Sequence, residues 1–74
     1  MELTKLEKAL ILTLGKTDLT EEDQEAIFLF LKTEEQQYRM LDFLHNNPKA
    51  NNQEILHRYA EILAGKKLKE YFES

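Results

Sequence analysis

Apolar residues recur along this chain at spacings of three and four, with very few alternating stretches, and that period lines up side chains on one face of a helix. Leu3, Leu6, Leu10 and Leu14 form such a stripe, which predicts a first helix over about Glu2 to Leu14 that stops at Gly15. Thr20 followed by Glu21, Glu22 and Asp23 reads as a second start. The hydroxyl can accept from an orphan backbone amide, and the carboxylates meet the positive end of the helix dipole. This helix runs into Ala26-Ile27-Phe28-Leu29-Phe30-Leu31, which is apolar on every face, so burial on most sides is expected.

Thr33-Glu34-Glu35-Gln36 has the form of a capping box and predicts a third helix over about Glu34 to Asn46. One unbroken helix from Glu21 to Asn46 is the rival reading, since neither glycine nor proline separates the two segments. Asn46-Asn47-Pro48 ends the third helix, because the residue before a proline is pushed out of helical geometry. Asn51 then caps a fourth helix with Glu54 at its third position, and Ile55, Leu56, Tyr59, Ile62 and Leu63 are expected inward before a stop near Gly65. Beyond it Leu68, Tyr71 and Phe72 share a face, while Lys66, Lys67 and Lys69 stand where a helix start disfavours positive charge. The last turn or two is therefore expected to be helical only when docked. The predicted fold is all-α, a compact bundle of about four short helices plus a short helical C-terminal tail, with consecutive helices as near neighbours.

Composition supports this reading and narrows the function. With 74 residues, two glycines, one proline and no valine, the chain predicts a single helical domain over residues 1–74 with almost no strand-forming material. Cysteine is absent, which excludes a disulfide framework and thiolate metal sites and favours a reducing cytoplasm. The N-terminal stretch lacks a basic leader, and no apolar run approaches the roughly 20 residues of a membrane span, so a soluble protein without a membrane partner is expected. Net charge is −4, and only residues 65–74 are net positive, so a phosphate backbone is repelled by most of the chain.

The candidate chemistry is sparse. His45 and His57 lie on different predicted helices without a repeated ligand spacing, and they read as surface or boundary histidines. Glu54-Ile55-Leu56-His57 has the Glu-x-x-His spacing of di-iron bundles, but it occurs once and Glu54 already serves as a capping residue. Glu21, Glu22, Asp23 and Glu25 form the densest acidic run, which is the ordinary complement to a helix N-terminus. No catalytic residue, metal, cofactor or small-molecule ligand is indicated, and a non-enzymatic protein is expected.

The stretch Leu44-His45-Asn46-Asn47-Pro48-Lys49-Ala50-Asn51-Asn52-Gln53-Glu54-Ile55 resembles the junction between the first two helices of winged-helix and helix-turn-helix transcription regulators. That resemblance implies a nucleic-acid-binding regulator, with Asn51, Asn52, Arg58, Lys66, Lys67 and Lys69 facing the duplex. Past Ile55 the pattern departs: the helix continues through Tyr59 to Leu63, Gly65 comes late, and Lys66 to Ser74 hold no arginine, asparagine or glutamine for base edges. A second class of function follows from the aromatic excess. The run Ile27 to Leu31 is hard for a four-helix bundle to cover completely, so at least one of its side chains should reach the surface. Phe28 or Phe30 beside Tyr71 and Phe72 then forms an apolar protein interface, used most simply by a second copy in a homodimer. A self-associating helical interaction module is the favoured expectation, and nucleic-acid binding is the alternative.

Overall fold

Each helix starts on a polar cap whose side chain replaces the amide partner that the first turn lacks. The computed structural model describes the backbone of residues 2–73 and the side chains of residues 2–65. It contains α1 (Lys5–Leu14), α2 (Glu21–Phe30), α3 (Glu34–Asn46) and α4 (Asn52–Glu73), with no strand among the described residues. Thr20 Oγ1 accepts from the Asp23 amide, Thr33 and Gln36 form a reciprocal capping box, and Asn51 and Glu54 form another. α2 and α3 are therefore separate helices, and the unbroken alternative is excluded by Leu31, which leaves helical geometry at φ −84°, ψ 93°.

The start of α1 is corrected from Glu2 to Lys5. Thr4 caps it and Glu7 closes the box from the third position, at 3.0 and 2.9 Å, so Leu3 falls outside the helix and is 38% exposed. Gly15 is the C-terminal cap as expected, but it holds right-handed geometry at φ −64°, ψ −17°, so no left-handed turn demands a glycine there. At Gly65 the situation is reversed. Its φ of 32° and ψ of −119° break α4 into two stretches, and the backbone is helical again through Glu73.

Leu10, Leu14, Leu19, Ile27, Leu31, Met40, Leu44, Ile55 and Ile62 form the core, with Phe28, Leu41, Phe43, Leu56 and Tyr59 packed against it. α1 packs most extensively on α3, α3 next on α4, and α1 on α2. The expectation that consecutive helices are the main neighbours thus fails for α2 and α3. α1 and α3 share the central place, Leu10 and Leu14 of α1 and Met40 and Leu44 of α3 each being buried one turn apart on a single stripe. Leu63 is also corrected, at 40% exposure rather than inward.

Two long-range hydrogen bonds link α4 to α2 and to the loop before it. Asn52 Nδ2 donates to the Asp18 carbonyl at 3.2 Å, beside the entry to α2, and the Tyr59 hydroxyl donates to the Ala26 carbonyl at 3.3 Å, inside it. The first ties the start of α4 to the loop that precedes α2, and the second reaches from α4 to the backbone of α2 through the length of the Tyr59 side chain.

Candidate functional site

The last turn of α2 decides which of its apolar residues meet water. Ile27 and Leu31, at 0% and 1% exposure, define the inward edge. With about 100° of rotation per residue, Leu29 lies opposite the midpoint of that edge, while Phe28 and Phe30 lie roughly 80° to either side. Phe28 is half-buried against the core, whereas Leu29 and Phe30 are 62% and 59% exposed. Burial of this run on most sides is therefore corrected: two adjacent large apolar side chains face solvent. The expectation that at least one of them reaches the surface is met.

The same face carries charge. Glu25 and Glu22, both exposed, stand four and seven positions before Leu29 and stack with it on one stripe. Along α2 the outer surface thus passes from acidic to apolar. Ile11 and Leu12 form a second adjacent exposed pair on α1, at 39% and 69%, while Tyr38 on α3, 62% exposed, stands alone. The remaining candidates for the apolar interface, Tyr71 and Phe72, have side chains outside the described residues.

The residues nominated for nucleic acid have other occupations where they are described. Asn51 caps α4 through its side-chain oxygen, and Asn52 is tied to Asp18. The Arg58 guanidinium lies over the Phe43 ring, 5.8 Å from its centroid, with Nη1 3.9 Å from Glu61; its Nε is buried without a partner. Lys66, Lys67 and Lys69 lie outside the described side chains.

A half-open cleft of about 390 Å³, unforeseen from the sequence, lies between the end of α1 and the α3–α4 connection. Lys16, His45 and Lys49 line it together with Thr13, Thr17 and Asp18. Two helix C-termini, those of α1 and α3, converge there with their carbonyl ends, and Lys16 and Lys49 are the natural complement to that negative potential. The Thr13 and Thr17 hydroxyls donate to the Ala9 and Leu14 carbonyls at 2.8 and 2.6 Å, so their protons are already committed. The cleft reads as the seam between helix ends. Among the described residues no three histidine or carboxylate side chains gather as a metal-binding group, and His57 Nε2 lies 3.7 Å from Glu61 Oε1 on its own helix.

Against this geometry, comparison with protein-family models, with curated proteins and with solved structures finds no match to the chain.

Proposed function

We propose that this protein is a non-enzymatic helical interaction module that associates with a second copy of itself through the outer face of α2. The observation that carries the reading is the adjacent exposure of Leu29 and Phe30, 62% and 59%, at the end of a helix whose inner edge is fully buried. Leaving both at this exposure forgoes stabilisation of about 1–2 kcal/mol for each side chain, which an interface can recover. A two-fold dimer covers the same patch on both chains at once, the commonest arrangement for such surfaces.

Sedimentation equilibrium at micromolar concentration tests the proposal. The wild type is expected to be dimeric, and Phe30→Ala is expected to weaken association by about 2 kcal/mol or more if it anchors the centre of the interface. Circular dichroism should show Phe30→Ala to be as helical as the wild type, because the side chain it removes is outside the core. A folded wild-type monomer throughout the range rejects the reading.

A further inference from the structure

α1 and α2 carry the same outward stripe with opposite charge. In α1 the buried edge is Leu10 and Leu14, and Leu12, 69% exposed, stands opposite its midpoint. In α2 the buried edge is Ile27 and Leu31, and Leu29, 62% exposed, stands opposite that. Lys8 and Lys5 come four and seven positions before Leu12, as Glu25 and Glu22 come four and seven before Leu29. All four are exposed, and at about 100° per residue each lies within about 40° of the line of its leucine. Among the described residues the ion pairs join Arg39 to Glu35, and His57 and Arg58 to Glu61, so none of these four charges is engaged. Both buried edges belong to one core, so the two outer stripes of a chain point away from it and do not pair with each other.

A second copy can bring them together. Laid parallel and in register, α1 of one copy sets Lys5 and Lys8 against Glu22 and Glu25 of the other, and Leu12 against Leu29. Ile11 precedes Leu12 by one position and Phe30 follows Leu29 by one. On facing parallel helices that puts both on the same flank of the leucine contact, about 3 Å apart in level. Laid antiparallel over the same length, the lysines stand against Leu29 and Phe30 and lose their carboxylate partners. Two α2 faces match less well: parallel, carboxylates oppose carboxylates, and antiparallel they oppose the apolar pair. We propose, resting on the self-association above, that the occupant of the α2 outer face is the α1 outer face of a second copy, with lysines on glutamates and Leu12 on Leu29. A two-fold axis that turns α2 into the direction of α1 also turns α1 into the direction of α2, so the contact forms twice in the dimer. The charges then set the register and orientation of a pairing whose apolar residues supply its centre.

Charge exchange in the full-length chain tests the pairing, read by sedimentation equilibrium at low salt, where exposed charges are least screened. Lys5→Glu with Lys8→Glu, and separately Glu22→Lys with Glu25→Lys, are each expected to weaken dimerisation about tenfold or more, because like charges then face each other in both pairings. An equimolar mixture of the two reversed chains is expected to dimerise to within about threefold of wild type, since both helix pairings are complementary again. A wild-type dimer that the α1 reversal leaves intact, or reversed chains that do not rescue each other on mixing, overturns the α1–α2 pairing while leaving self-association in place. A wild-type monomer overturns both. Should a reversed chain lose its helicity, a cysteine pair decides the matter in a sequence that has none of its own. Leu12→Cys and Leu29→Cys, both at exposed positions, are mixed and oxidised in air. The mixed disulfide is expected well ahead of either homodimer, and a homodimer that forms first, or a mixed disulfide that does not form, overturns the proposal.

Discussion

Gln37 is the buried polar side chain of the core at 7% exposure, and its role is to complete the end of α2. Its Nε2 donates at 2.9 Å to the Leu31 carbonyl, an acceptor exposed by the departure of Leu31 from helical geometry. Gln37→Leu keeps the volume but leaves that carbonyl buried and unpaired, so a loss of about 1–3 kcal/mol is expected in urea unfolding. Tyr59 makes a second link to α2, and burial raises its phenol above the ordinary value of 10.0. A group whose folded value is raised contributes stability fully below the unfolded value and loses it as pH rises through the folded one. Unfolding free energy is therefore expected to fall above about pH 10, and Tyr59→Phe should flatten that limb while losing the bond to Ala26. The two glycines behave oppositely. A Cβ at Gly15 meets the Ile11 and Leu12 carbonyl oxygens at an ordinary 3.5 Å in right-handed geometry, so Gly15→Ala is expected to be neutral or mildly stabilising. Gly65→Ala, at φ 32°, carries backbone strain of about 1–3 kcal/mol, visible as a lowered midpoint in thermal unfolding.

At the scale of the helices, the caps carry most of the information. Thr20, Thr33 and Asn51 were readable as starts because a short polar acceptor stands just before an apolar period, with Gln36 and Glu54 in position to answer it. Thr33→Ala is accordingly expected to cost about 1 kcal/mol, measured by chemical denaturation, since it opens the box that separates α3 from α2. The box at Thr4 and Glu7 was equally present in the sequence, but Leu3 continues the leucine stripe one turn outward and masks it. Hydrophobic period alone does not record where a chain enters its helix. The outward turn of Leu29 and Phe30 had no local signature either. A segment that is apolar all round leaves its orientation to packing, and Ile27 and Leu31 determine it by their fit against the core. The α1–α3 pairing and the cleft at their ends likewise follow from tertiary arrangement, on which connection length was a poor guide.

For the molecule as a whole, the net charge of −4 sets long-range behaviour. Few counterions are available to be displaced from a duplex, so binding to DNA is expected to stay within or above the roughly 10⁻⁴ to 10⁻⁶ M of non-specific contacts, as a gel-shift titration in varied salt would register. The pairing of α1 with α3 across the intervening α2 has a kinetic consequence. A helical hairpin built from neighbours closes a short loop, whereas this core must bring together segments separated by an entire helix before its largest contact forms. α2 is then the element added to an α1–α3–α4 framework, and within it only Ile27 is fully buried. It should also be the first to detach, in openings far smaller than global unfolding. Amide hydrogen exchange is expected to show α2 protons exchanging well ahead of those flanking Leu10 in α1 and Met40 in α3. The helix proposed here as the docking face is thus the one whose opening a bound partner would suppress most, by binding the closed form alone.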